Sequence, residues 1–198
     1  MKKQLLICFT AVITFGACNS GTDKFTPTDK KEKDVSLATN TAKVTEPSED
    51  NSNTAESMKE MVGQYLQIKN ALVNDNGEEA ATAGNAFVAS MGKMEKTTMS
   101  PEKVKIWDDL SDDAKEMAGH IGMNGAKLDH QREHFDMLSK DMYDMVKTFG
   151  TDQTLYVAHC PMFNKKKGAD WLSETREIKN PYYGKEMLTC GSIKEEIK

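Results

Sequence analysis

KLDHQREHFDMLSKDMYDMVKTFG, from Lys127 to Gly150, is the stretch whose reading decides the fold. Leu128, Phe135, Leu138, Met142, Met145, Val146 and Phe149 recur mostly three or four residues apart. That spacing places them on one face of an α-helix, with charged residues on the other. Gly150 is the stop signal. A helix with one apolar stripe needs partners, and three more such patterns lie upstream.

Ser100-Pro101-Glu102 opens the nearest of them, with a serine N-cap and proline at the first helical position. Val104, Trp107, Leu110, Ala114, Met117, Ala118 and Ile121 form its apolar face, and Asn124-Gly125 ends it. Glu78 to Met94 predicts another helix, alanine-rich and suited to close packing, with Glu78 and Glu79 favourably placed at its N-terminus. Asp75-Asn76-Gly77 is the turn before it. Ser57 to Asn74 predicts the first, through Met58, Met61, Val62, Tyr65, Leu66, Ile68 and Leu72. The chain is therefore expected to be mainly α: a four-helix up-and-down bundle with a small C-terminal β/loop lobe. Most of the 13 methionines fall at core or core-edge spacing, where methionine fills irregular gaps. His130 and His134, four residues apart, can clamp a metal from one helix face. Taken helix by helix, however, they and His120 read as solvated side chains lying off the apolar stripes.

The N-terminus reads differently. Lys2 and Lys3 precede an apolar run from Leu5 to Phe15, and Gly16-Ala17-Cys18 follows. This is a secretory signal pattern over residues 1–17. Its F-G-A-C ending resembles a bacterial lipobox, which implies cleavage before Cys18 and a lipid on that thiol. Residues 18–54, rich in Thr, Ser, Asp, Glu and Lys, hold too few large apolar residues to offset chain entropy and are expected to be a disordered tether spanning about 30–40 Å. Residues 55–198 then make one domain. Such a chain is expected to be extracytoplasmic, lipid-anchored to a membrane of the cell envelope, periplasmic or outer-membrane. The 26 basic residues are outnumbered by 31 acidic ones, and no basic stripe carries interleaved aromatics, which argues against nucleic acid as a partner. No Ser/His/Asp arrangement, phosphate-cradling glycine loop or catalytic carboxylate pair stands out, so an enzyme is not expected.

Function turns on the segment after the helices. Thr154 to Cys160 has strand character and Pro161 ends it. In an extended strand Cys160 and His159 face opposite ways, while the sulfurs of Cys160 and Met162 converge more easily. Asn164 to Gly168 is a basic surface turn, Trp171-Leu172 returns to the core, and Asn180-Pro181-Tyr182-Tyr183-Gly184 is an aromatic turn. Met187 and Cys190 share a side if the chain turns helically there and separate if it is a strand. With Cys8 removed and Cys18 modified, Cys160 and Cys190 are the two cysteines left to act. Cys160, Met162, Met187 and Cys190, with His159 as an alternative donor, make a soft set that favours Cu(I) and Ag(I). In an oxidising compartment the same two cysteines can instead form a disulfide, closing a loop of about thirty residues and stabilising by about 3–4 kcal/mol.

The blocks YVAHCPM (156–162), WLS (171–173) and IKNPYYGKEMLTCG (178–191) resemble an uncharacterised bacterial domain family, a domain of unknown function. Its members look like stand-alone lipoproteins or like extensions on periplasmic adaptor subunits of copper and silver efflux systems. The resemblance extends more weakly over the helices, as in QREHFDMLS (131–139), and so covers about Ala55 to Lys198. It implies metal homeostasis or efflux as the function, with an efflux adaptor or another envelope protein as partner. A looser similarity links Cys160-Pro161-Met162 to a heavy-metal-binding motif of copper transporters. The later part of that motif is reduced here to Met187-Leu188-Thr189-Cys190-Gly191, one cysteine short, so a four-cysteine zinc site is not available. The alternative function is a metal-free, disulfide-stapled interaction module of the cell envelope.

Overall fold

The computed structural model describes the backbone of residues 49–198 and the side chains from residue 53 onward. The signal segment, Cys18 and most of the tether lie outside the described residues. Four helices run in chain order: α1 (Glu49–Val73), α2 (Gly77–Met91), α3 (Pro101–Met123) and α4 (Leu128–Phe149). Each packs on the next, and α1 also packs on α4, which closes the bundle. The helix α1 begins at Glu49, so helix replaces the last six residues of the expected tether.

The helix boundaries follow local chemistry. The Asn76 side chain accepts a bond of 3.1 Å from the Glu79 amide and caps α2. Ser100 does the same for α3, accepting from the Lys103 amide, with Pro101 as the first helical residue. Met58, Met61, Tyr65, Ile68, Leu72, Phe87, Trp107, Ile121, Phe135, Leu138, Met142 and Met145 form the shared core. Ala80 and Ala83 of α2 and Ala114 and Ala118 of α3 are buried, which permits the close approach of those two helices.

The chain then forms a three-stranded antiparallel sheet of β1 (Leu155–Cys160), β2 (Ala169–Ser173) and β3 (Ser192–Ile197), in the order β2-β1-β3. In β1, Leu155, Val157, Ala158 and Cys160 are buried while Tyr156 and His159 are partly open, as expected of a central strand covered on both faces. The β1–β3 register shifts between Val157 and Ala158. The sheet joins the bundle through α4 and β2. Tyr65 of α1 ties the two layers together: its hydroxyl lies 2.8 Å from Ser139 Oγ of α4 and accepts a bond of 3.0 Å from the Leu172 amide of β2. Burial pushes this phenol's pKa well above the ordinary tyrosine range.

Two polar clamps hold the C-terminal lobe on the bundle. Arg132 of α4 is buried and donates to Asp75 Oδ1 at 2.6 Å, to the Leu72 carbonyl at 3.3 Å and to the Pro181 carbonyl at 3.0 Å. Lys69 of α1 donates to Glu174, just after β2, at 2.6 Å.

One group opposes stability at neutral pH. Asp141 of α4 is half-buried beside Asp113 and Asp144, and burial followed by those two charges raises its pKa from 3.8 to about 6. A raised folded pKa means this contribution is complete below the unfolded value and is lost as pH climbs through about 6. Asp141→Asn is therefore expected to stabilise the protein at pH 7 by on the order of 1 kcal/mol after solvent screening, and not at all in strong acid. Denaturant midpoints measured across the acid range check this; equal gains at both ends would sink it.

Candidate metal centre

Cys160 is the last residue of β1, and Cys190 ends the turn that leads into β3. Their sulfurs stand 3.7 Å apart as free thiols. Several side chains produce this approach. Asn180 is buried, and its amide nitrogen donates to the Cys190 carbonyl at 2.8 Å. Its oxygen accepts from the Tyr182 and Tyr183 amides at 2.8 and 3.3 Å, and its own N–H donates to the Leu188 carbonyl. One asparagine thus fixes both limbs of the 180–190 loop. Tyr182 fills the space below, stacked on Phe163 at 4.4 Å and edge-on to Trp171 at 5.9 Å. Gly191, with φ of +150°, lets the chain cross close over β1; a Cβ there would meet the His159 carbonyl at 2.9 Å.

The thiol separation has chemical meaning. A metal holding two thiolates at about 2.3 Å in near-tetrahedral geometry sets their sulfurs about 3.7–3.8 Å apart. Cys160 is fully buried, whereas Cys190 is partly open to solvent. Burial, followed by the hydrogen bond and charge of Cys160, pushes the Cys190 thiol above its ordinary pKa. Tyr183 is raised as well, by burial and then by the two cysteines.

The other expected donors are distributed unevenly. Met162 is 39% exposed and follows Pro161; its carbonyl accepts a bond of 3.1 Å from the Tyr183 hydroxyl. Met187 ends a 3₁₀ turn at Gly184–Glu186, and its carbonyl accepts from the Cys190 amide at 3.0 Å. The chain therefore turns between Met187 and Cys190 and is not a strand there. His159 does not join the thiols. Its Nδ1 lies 2.6 Å from Asp170 Oδ1, its partner across the β1–β2 ladder. Among the described residues no cluster of three metal-binding side chains includes it. Between Met162 and β2, Asn164, Lys165 and Lys166 all adopt left-handed backbone, anchored by Phe163.

A second cluster lies at the far end of the α3–α4 hairpin. His120 of α3 and His130 and His134 of α4 offer ligand atoms all within 4.8 Å of one another. His130 Nε2 and His134 Nε2 are 3.2 Å apart, and His134 Nδ1 lies 3.3 Å from Met117 Sδ. The His120 and His134 rings stack at 4.4 Å. Burial, and then the charges of His120 and His130, lower the His134 pKa. These histidines are not the separate solvated side chains that each helix suggests by itself.

Residues 61–154 match the family model of a protein of unknown function (DUF3347). This segment is similar to that family. It contains α2, α3 and α4 with most of α1, and it ends one residue before β1. The histidine cluster lies inside it. The Cys160–Cys190 lobe, where the resemblance was expected to be most specific, lies beyond the matched residues. No curated protein and no solved structure shows significant similarity to the chain.

Two features of the bundle and its lobe escaped sequence reading. The strand β3, SIKEEI, is an edge strand with Lys194 and Glu196 exposed; that polarity hides an edge strand from a hydrophobicity reading. The histidine triad needs His120, which is invisible to any wheel drawn for α4 alone. The available signal was the short Asn124–Lys127 turn, which places the last turn of α3 beside the first turns of α4.

Proposed function

We propose that this protein is a lipid-anchored envelope lipoprotein that binds or hands over soft metal ions, Cu(I) or Ag(I), at Cys160 and Cys190. The observation that carries the reading is the 3.7 Å separation of the two free sulfurs, held by the Asn180 loop. Thiolates select soft cations, and Met162 and Met187, on the segments adjoining the two cysteines, are the nearest thioethers in sequence. Partial exposure of Cys190 gives an ion a way in and out. The signal pattern and Cys18 support an envelope location with a lipid on Cys18. Among the described residues no helix is long and apolar enough to cross a membrane. A metal efflux adaptor is the partner that the sequence resemblance favours.

Two thiol protons leave when the metal binds, so affinity falls as pH falls. Cu(I) competition against a chelator is expected to give one-to-one binding, lost in Cys160→Ser/Cys190→Ser. A thiol count on the native and the reduced chain runs beside it. Blocked native thiols, with no Cu(I) binding after reduction, would overturn the reading. The complete burial of Cys160 would then favour the second reading, a metal-free stapled module that docks on an envelope partner.

A further inference from the structure

We propose that the α3–α4 hairpin carries a second metal site, separate from the thiol pair, in which His120, His130 and His134 bind one copper ion as Cu(II). Two imidazoles adjacent on one metal at about 2.0–2.1 Å hold their nitrogens about 2.8–3.4 Å apart, from tetragonal to tetrahedral geometry. The facing Nε2 atoms of His130 and His134 already stand 3.2 Å apart. The third ring comes from the neighbouring helix, with its ligand atom within 4.8 Å of both. Capturing an ion requires the His120 ring, stacked on His134 at 4.4 Å, to swing out of the stack and turn a nitrogen toward the pair.

The backbone beneath the rings is fixed. Gln131, fully buried between His130 and His134, donates to the Ile121 carbonyl at 3.0 Å and to the Gly77 carbonyl at 2.9 Å. Asn124 donates from its side chain to the His120 carbonyl at 2.8 Å. The ends of α2, α3 and α4 are thus tied together directly under the cluster. Glu133 lies 3.9 Å from His130 Nδ1, and Glu116 lies 3.7 Å from His120 Nε2. Both carboxylates are in ion-pair range of the rings without hydrogen-bonding them, and they add negative charge beside a bound cation. The side chains of His120 and His130 are 38% and 40% exposed, which leaves an open path for the ion.

Donor chemistry selects the metal. Imidazoles accept zinc, nickel and copper, and the divalent order of affinity places Cu(II) above both of the others. The two sites would then divide copper by oxidation state: sulfur for Cu(I), imidazole for Cu(II).

The test titrates Cu(II) chloride into the Cys160→Ser/Cys190→Ser chain, in which no thiol of the lobe reduces the probe. One bound equivalent is expected, with nitrogen splitting in its electron paramagnetic resonance spectrum. The ring signals of His120, His130 and His134 should broaden while those of His159 do not. His120→Gln is expected to weaken binding on the order of 100-fold, as loss of a direct ligand costs at least as much as loss of an outer-shell partner; His159→Gln should not weaken it. Should the double serine chain not fold, Ni(II), which thiols do not reduce, is titrated into the unaltered chain, and the same three rings are expected to respond. Equal effects of His120→Gln and His159→Gln, or no response at the three rings, would overturn the site. Zn(II) binding more tightly than Cu(II) would overturn the choice of metal. None of these outcomes depends on whether the thiol pair binds Cu(I).

Discussion

Gly184→Ala is expected to destabilise the protein by about 3–5 kcal/mol. Gly184 has φ of +53°, a left-handed conformation that costs an L-residue about 1–2 kcal/mol. The added Cβ would also collide with the Asp75 carboxylate and come within 2.7 Å of Arg132 Nη2. Asp75 cannot simply move aside. Its Oδ1 accepts from Arg132 at 2.6 Å and its Oδ2 accepts from the Lys185 amide at 3.3 Å. Displacing it leaves a buried guanidinium with only the solvent-exposed Asp129 carboxylate, 3.8 Å away, as counter-charge, and breaking a buried pair from one side costs several kcal/mol. Because this clamp joins α1, α4 and the 180–190 loop, the variant should also make Cys160 more reactive toward thiol reagents. Equilibrium denaturation with a parallel thiol-accessibility assay checks both. A loss of under about 1 kcal/mol would show that the loop re-forms around the methyl group and that the clamp is not tight.

Glu174→Ala is expected to cost about 3 kcal/mol, and more than Lys69→Met. The asymmetry follows from burial. The Lys69 side chain is 2% exposed and that of Glu174 is 34% exposed. Removing the glutamate strands an ammonium in the interior. Removing the lysine charge leaves a carboxylate that can reach water and still accept from Asn70 Nδ2 at 3.1 Å. Burial lowers the Lys69 pKa even with Glu174 in place. Burial raises the Glu174 pKa, but the bonds from Lys69, its own backbone and Asn70 outweigh it and leave that pKa below 4.5. The depressed glutamate therefore stabilises above its unfolded value, and that contribution is lost as pH falls through the folded value. The lowered lysine releases its proton in the native state first, so stability rises as pH climbs from its folded value toward 10.5. The deficit of Glu174→Ala should consequently shrink toward alkaline pH, where the stranded amine is neutral. Denaturant midpoints across pH for both variants provide the measurement. A larger loss in Lys69→Met, or a deficit independent of pH, would contradict this account.

The bundle was legible because each of its helices records its partner side in its own periodicity. Phe135, Leu138, Met142 and Met145 lie on one stripe in sequence and are buried together in the structure. Ser100 and Pro101 marked the start of α3 to the residue. The beginning of α1 was less legible: residues 49–54 are polar, and composition cannot separate a polar helical extension from a tether. The thiol pair was half legible. Spacing and chemistry singled out Cys160 and Cys190, but their 3.7 Å approach depends on Asn180 bridging a loop of ten residues, and no local pattern encodes that bridge. His159 illustrates the converse. Strand alternation placed it away from Cys160, and the Asp170 carboxylate that holds its ring became evident only once β2 was paired with β1.

Local sequence therefore specified what depends on neighbours along the chain: helix periodicity, caps, the central strand and the identity of the sulfur donors. Tertiary packing decided what depends on neighbours across it. It brought His120 over from α3 to complete a triad with His130 and His134, paired a polar edge strand with β1, and clamped the lobe through Arg132 and Lys69. The physical reason is one of range. Backbone periodicity acts over three or four residues, whereas a ligand set or a buried ion pair is a coincidence in space between residues that chain entropy keeps apart until the core has closed.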